Sequence, residues 1–530
     1  ALVGGFAVVS LGAPMRTAVL LTIFCGHAAS LQLPVRPPAC PRANAALMQF
    51  SEAALEAMRR EMQEQAEAAQ EVAREQIAAQ WVALESALPA TESRGAPVLT
   101  LYRDTNGWCP FCERVWLQLE QKGLPYEEVL IDLKDKPAWY LEMVPTGLVP
   151  AVKIEASGEV LWESADIMRR IEADFTGDAA PPLLPAADTA ERARAEAMME
   201  GSAVLGKAGF QMALAARNES LSEAERAALR ASFEAALSDL DAQLGAGGGP
   251  FMLGEELSLV DCTYAPLLER WAVQLPLTHG FDLRPPQPEA TPRWPALEAW
   301  FVGMAALPSY ATRVRGDTYS WRAAVAAFQR IFSANSSAPL SEQARALTAR
   351  ADYAAALALK ASAAGLKDTL EEADAAGGDG ASRTAACAEA AAALISNRAA
   401  IVTDATDEEP KSQPQLRRLE PREAPLVESV LQSAAELLLG PLGAGGRDEG
   451  GDGDGDEAVG GRELLEELLD EEWTEAEIAS VRGHSARFVA ARLCVPRDMG
   501  APAAAVLRAT LLEIAEQEER FAWSASGGML

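Results

Sequence analysis

The stretch Val98–Phe175 constrains this chain more than any other, and within it the tetrapeptide Cys109-Pro110-Phe111-Cys112 carries the chemistry. Val98–Arg103 (VLTLYR) is a short run of β-formers, and Phe111–Lys122 repeats its apolar residues at helical spacing. The tetrapeptide therefore falls on a strand-to-helix turn, with Cys109 at the helix start. Unpaired amide N–H groups and the positive end of the helix dipole face that point, and both stabilise a thiolate. Proline suits the first helical position, where an N–H would have no partner. A CxxC can also be half of a zinc site, but neither a second CxxC nor a suitably spaced histidine follows. The residues read as a redox thiol centre, with no metal expected.

Downstream, Pro125–Asp132 (PYEEVLID) reads as a second strand, followed by Leu133–Ile154 (LKDKPAWYLEMVPTGLVPAVKI) and Gly158–Phe175 (GEVLWESADIMRRIEADF). Taken whole, this run resembles the N-terminal domain of the glutathione transferase superfamily, nearest its cysteine-type omega, lambda and dehydroascorbate reductase branches. The resemblance implies an α/β plus all-α fold: a thioredoxin-like N-terminal domain, then an all-helical C-terminal domain, here with extra helices. It implies glutathione as co-substrate and Cys109 as the catalytic cysteine that forms a mixed disulfide with it. Val149-Pro150 matches the family's Val-cis-Pro, whose valine backbone pairs with the glutathione cysteinyl unit. Glu163-Ser164 matches the pair that holds the γ-glutamyl end, with Ser164 expected to cap the next helix. Lys136 matches the lysine that reaches the glutathione backbone in the omega type. Cys112 departs from the pattern, since those branches mostly carry Ala or Ser there. It is either a second catalytic thiol that resolves the mixed disulfide or a small side chain packed on the buried helix face.

Composition bounds the partners. The net charge is −31, from 77 acidic against 46 basic residues, which argues against nucleic-acid binding and against a polybasic membrane surface. Seven cysteines in 530 residues do not make a disulfide scaffold, and His27, His279 and His484 are too scattered for a His-based metal site or a Ser-His triad. The expected partners are glutathione and a small oxidised or electrophilic substrate. No stable membrane insertion is expected, and pairing with a second copy is left open.

In chain order, residues 1–50 read as a targeting leader. The first 14 precede a methionine and look like upstream sequence. Met15–Ser30 has the charged start, short apolar run and small residues of a secretory signal, and Leu31–Phe50 carries two arginines and no acid. Signal plus acid-poor leader resembles the bipartite address of algal plastid proteins, which makes a plastid the first expectation, with the secretory pathway or the cytoplasm as alternatives. Residues 51–96 hold a long helix and a linker, 97–177 the thioredoxin-like domain, and 188–330 the helical domain. Within the last of these, capping boxes open helices at Ser222/Glu225 and Ser258/Asp261. The Ser258/Asp261 box also matches the superfamily's central helix. Residues 337–530 are an additional helical extension with an acidic, disordered insert expected at about 403–461, although Pro425–Leu439 within it reads as an amphipathic helix. Asp452, Asp454, Asp456 and Glu463 there fit a calcium-loop spacing, but Glu457 replaces its turn glycine. Trp271, Trp300 and Tyr319 are candidates for core or for the interdomain cleft.

These readings converge on a glutathione-dependent thiol transferase or reductase that uses a cysteine nucleophile. The alternative is a non-enzymatic ligand carrier or scaffold subunit on the same fold, although such a protein has no need of Cys109 and the Glu163-Ser164 pair.

Overall fold

The computed structural model describes residues 52–90, 95–177, 180–215, 220–287, 289–334, 342, 345–359, 381–407, 418–443, 469 and 473–527. The leader 1–50 and the calcium-like spacing at Asp452–Glu463 lie outside them.

Helix α1 (Glu52–Ala87) precedes β1 (Leu99–Asp104), α2 (Pro110–Gln121), β2 (Tyr126–Ile131), α3 (Ala138–Met143), β3 (Ala151–Ile154), β4 (Val160–Leu161) and α4 (Ser164–Asp174). The strands form one sheet in the order β2-β1-β3-β4. β1 runs parallel to β2 and antiparallel to β3, and β3 runs antiparallel to β4. Every residue of the central strand β1 is buried, because both of its faces are covered. Side-chain alternation sends Leu99 and Leu101 into the core shared with α2 and α4, and Tyr102 to the opposite face under Tyr140 of α3. This is the thioredoxin-like domain. Its helix α2 begins where the sequence places it, one residue after Cys109.

The helical domain follows as α5 (Ala190–Ala215), α6 (Glu223–Gly245), α7 (Leu259–His279), α8 (Pro295–Ala305), a π-turn at Tyr310–Val314 and α9 (Thr318–Ala334). Both expected capping boxes are present. The second is buried and does more than cap. One Asp261 oxygen accepts from the Ser258 amide at 2.8 Å, and the other accepts from the Met252 amide at 3.0 Å and from Trp300 Nε1 at 2.8 Å. Trp271, Trp300 and Tyr319 are core residues at 3%, 1% and 5% exposure, so none of them lines a cleft. α5 approaches α7 at Gly209, where a Cβ would stand 2.2 Å from the Trp271 ring, so only glycine fits.

Lys122, at the end of α2, anchors the interdomain link. Its ammonium meets Glu172 at 3.0 Å and the Phe175 and Pro181 carbonyls, while Glu172 accepts from the Leu183 and Leu184 amides. A buried charge pair is tolerable only when its remaining donors and acceptors are used in this way.

The extension comprises α10 (345–359), α11 (Ala381–Thr406), α12 (Ala424–Gly443), α13 (Glu475–Arg492) and α14 (Ala501–Ala525). α12 stands inside the span whose composition reads as an acidic insert, and α11 runs through Asp404 to Thr406. Apolar periodicity decides the local structure there, not the average charge. The last four of these helices close a second core with the C-terminal half of α1, through Trp81, Leu394, Leu431, Phe488 and Leu511. Residues 56–68 of α1 are exposed, Met58 and Met62 included. Among the described residues one helical segment, Arg383–Thr406, is long and apolar enough to span a membrane. Its Ala390, Ala391, Leu394 and Ile395 are buried in this second core, which accounts for the apolar composition.

The bundle docks on the body formed by the thioredoxin-like and helical domains. Tyr319 donates to the Ala491 carbonyl, Arg508 pairs with Asp317, and the Val495 amide donates to Ser320 Oγ at 2.8 Å. At Gly500, which opens α14, a Cβ would collide with the Thr312 carbonyl, so the close approach of the two parts requires glycine.

Candidate active site

Cys109 occupies the N-cap of α2, with extended backbone (φ −73°, ψ 115°) and Pro110 next. Its Sγ lies 3.8 Å from the Val149 carbonyl, toward which the thiol donates. Asp104, at the end of β1, braces the loop. Its two oxygens accept from the Trp108 amide at 2.8 Å and the Cys109 amide at 3.2 Å. The sequence reading passed over Asp104, although an Asp at a strand end a few residues before a helix is a turn-forming signal.

Cys112 is buried at 1% exposure. A hydrogen bond from the Cys112 thiol is the largest influence lowering the Cys109 pKa; burial and the Asp104 carboxylate oppose it, and the amides of Cys112 and Phe111 help. Burial drives the Cys112 pKa well up, and its bond to Cys109 adds to that. The pair is therefore asymmetric, with the Cys109 pKa drawn down at the helix start and the Cys112 pKa pushed up beneath it. The Asp104 carboxylate and the two sulfurs lie within 4.8 Å of one another. Both Asp104 oxygens are already engaged by amides, so we read the trio as a loop brace.

Among the other expected residues, the Val149–Pro150 bond is cis. Tyr140 holds its loop by donating to the Leu148 carbonyl at 2.6 Å, a contact that no local pattern announces. Lys136 is half-buried across that loop, its Nζ 4.0 Å from where a Cβ on Gly147 would sit, with no ion pair among the described residues. Ser164 is buried but is not the cap: Glu163 is the N-cap of α4, and Ser164 is the first helical residue. Glu163 makes no side-chain cap bond, so the first amides of α4 have no capping side chain. An uncapped helix start and a lysine with no ion pair among the described residues can each take an anion.

Behind the thiol lies a buried charge network that joins the two domains. Arg270 of α7 meets Glu113 of α2 at 2.5 Å and donates to the carbonyls of Trp108 at 3.2 Å and of Pro266 at 2.6 Å. Burial opposes the Arg270 charge, but Glu113 and Glu269 outweigh it and raise its pKa. Trp321 of α9 covers the guanidinium at 4.3 Å, and its Nε1 donates to Glu269 at 2.6 Å. The loop's outer side meets the extension. A Cβ on Gly107 (φ +67°) would lie 3.1 Å from Pro496 Cγ. These partners lie 157 to 389 residues away from the loop in sequence, so no motif could point to them.

A thioredoxin-type sheet followed by an all-helical domain defines the class of two-domain, transferase-like folds. The glutathione S-transferase N-terminal domain model matches residues 108–174, and the C-terminal domain model matches residues 223–302. "Protein IN2-1" of Zea mays is 36% identical over 185 residues, 34% of this chain and 69% of that one. "Glutathione S-transferase L2, chloroplastic" of Arabidopsis thaliana is 32% identical over 250 residues, 44% and 73% of the two chains. "Glutathione S-transferase DHAR2", also of Arabidopsis thaliana, is 33% identical over 174 residues, 32% and 71%. The chain belongs to the glutathione S-transferase family, and as a member of it is a glutathione-dependent enzyme. The extension from α10 onward lies outside both matched domains.

Proposed function

We propose that this enzyme is a cysteine-type, glutathione-dependent thiol transferase or reductase in which Cys109 is the nucleophile. Glutathione lies along the Val149-Pro150 edge, with Lys136 and the Glu163-Ser164 helix start at its two ends. The Cys109 thiolate attacks the sulfur of a glutathionyl disulfide. The Cys109–glutathione bond forms, the substrate S–S bond breaks, and the other thiol leaves. A second glutathione thiolate then attacks the mixed disulfide, releasing oxidised glutathione and restoring the Cys109 thiolate. Dehydroascorbate, in place of the disulfide, takes the two electrons that two glutathiones give up.

The observation that carries this reading is Cys109 at the N-cap of α2, its Sγ 3.8 Å from the carbonyl of Val149 at the cis-proline edge. Cys112, at 1% exposure, is enclosed, which favours a second glutathione as the resolving thiol. The test is glutathione-dependent reduction of dehydroascorbate and of a glutathionyl mixed disulfide by wild type, Cys109→Ser and Cys112→Ser. Activity lost in the first variant and kept in the second supports the monothiol cycle; loss in both indicates a dithiol cycle. Glutathione binding without turnover in wild type leaves a ligand carrier.

The proposed domain division is 97–177 for the glutathione-binding thioredoxin-like domain and 188–330 for the helical domain, with the second substrate in the cleft between them. A plastid is the proposed compartment, supported by the acid-poor leader and by the chloroplastic relative. Residues 15–50 fused to a fluorescent protein and imaged in algal cells check this.

A further inference from the structure

The domain that carries the thiol, residues 97–177, has four arginines. Three of them hold carboxylates: Arg103 meets Glu128 at 2.6 Å, Arg169 meets Glu196 at 3.3 Å, and Arg170 meets Asp174 at 2.6 Å. The fourth is Arg114 of α2, which has no carboxylate partner among the described residues. It is nonetheless drawn into the protein, and its Nε is buried without a hydrogen-bond acceptor. Leaving a desolvated guanidinium donor unused is costly, and an arginine cannot escape the cost by losing its proton.

The direction of this side chain is set by the helix. Side chains on an α-helix lean toward its N-terminus, and positions three apart share a face. The Arg114 guanidinium accordingly lies 5.2 Å from the ring of Phe111, one turn back toward the helix start that Cys109 caps. Phe111 is 44% exposed, so the pair reaches the surface at the first turn of α2. The titratable groups whose charges act on Arg114 are Cys109 of the N-terminal domain and Tyr264 of α7. Tyr264 offers no competing anion, because its hydroxyl donates to the Met198 carbonyl at 2.8 Å. A guanidinium with a buried, unused donor one turn from the helix start that Cys109 caps, within electrostatic reach of Cys109 and of Tyr264 in the helical domain, is a preformed half of an ion pair.

We propose that Arg114 is the anion subsite for the second substrate, so that the enzyme favours glutathionyl disulfides or electrophiles carrying a carboxylate close to the bond that Cys109 attacks. This rests on the reading of Cys109 as the nucleophile and adds the substrate class to it. The carboxylate completes the guanidinium's hydrogen bonds, preferably through two parallel N–H···O contacts, and orients the leaving sulfur away from Cys109.

The test uses two mixed disulfides of glutathione, one with 3-mercaptopropionate (anionic) and one with 2-mercaptoethanol (neutral), at saturating glutathione. The full chain and its Arg114→Gln and Arg114→Lys variants are compared. Wild type favours the anionic disulfide in kcat/KM. Arg114→Gln lowers kcat/KM for it by roughly 10- to 100-fold, the range of a charged hydrogen bond, and for the neutral one by no more than a few-fold. Arg114→Lys retains part of the preference, since it keeps the charge without the fork. Equal losses with both disulfides, or a raised KM for glutathione, overturn the proposal. Absence of turnover of either disulfide by wild type overturns the reading of Cys109 itself, and this subsite with it.

Discussion

Arg270 of the helical domain and Glu113 of the thioredoxin-like domain meet at 2.5 Å, both nearly fully buried, directly behind the loop that presents Cys109. The same guanidinium donates to the Trp108 carbonyl next to the cysteine. One side chain thus fixes the domain interface and the backbone of the thiol site.

Arg270→Met is expected to destabilise the protein by about 3–5 kcal/mol, because Glu113 is left as a buried carboxylate without its partner. Urea denaturation reads this. Arg270→Met combined with Glu113→Leu recovers part of the loss, since both charges are then gone. A double variant no more stable than Arg270→Met alone counts against the pairing.

The thiol pair makes a prediction about pH. The hydrogen bond from Cys112 lowers the Cys109 pKa from its ordinary value, and alkylation of its thiolate rises with pH through that depressed value. Cys112→Ala removes the hydrogen bond that contributes most to the shift, so its alkylation profile moves to higher pH. Cys112→Ser keeps a donor and moves less. Profiles of iodoacetamide reaction against pH for the three proteins check the order, and coincident profiles exclude Cys112 as the donor.

Gly107→Ala tests the contact between the loop and the extension. It places a Cβ on a residue with φ +67° and 3.1 Å from Pro496 Cγ. The expected cost is about 1–2 kcal/mol for the left-handed backbone alone, with the proline contact added to it. Measured by thermal melting, the penalty is smaller in a Pro496→Ala background. An unchanged penalty there assigns all of it to the backbone.

His279, at the end of α7, is held neutral. Burial lowers its pKa to about 4, and Nδ1 shares a hydrogen with Thr278 Oγ1 at 2.7 Å. A folded-state pKa below the unfolded value of about 6.5 means that the unfolded chain takes up the proton first. The stabilisation is complete above pH 6.5 and is lost as pH falls toward 4, on the order of 1–2 kcal/mol. Stability curves at pH 7 and pH 4.5 narrow this difference in His279→Gln if the assignment holds.

Local patterns carried most of the secondary structure into view. The helix after Cys109, both capping boxes of the helical domain and the long helix before the sheet stand within a residue or two of where periodicity and capping residues put them. Asp404–Thr406 and the N-cap of α4 differ, the first because helix α11 continues through acidic residues, the second because Glu163 and not Ser164 takes the extended backbone. Helix starts are set by the capping residue and the few residues beside it, so sequence reading finds them to within a residue or two.

The sequence alone determined that a cysteine would sit at a helix start in a thioredoxin-type domain, because strand, turn and helix signals there are contiguous. It could not say which face of that helix meets which partner. Glu113 finds Arg270, Gly107 finds Pro496, and Arg114 finds no carboxylate among the described residues, and each outcome depends on how helices distant in the chain pack. Burial follows from that packing too. The asymmetry between Cys109 and Cys112, identical in chemistry and three residues apart, exists because packing buried one thiol and left the other partly open at the helix end.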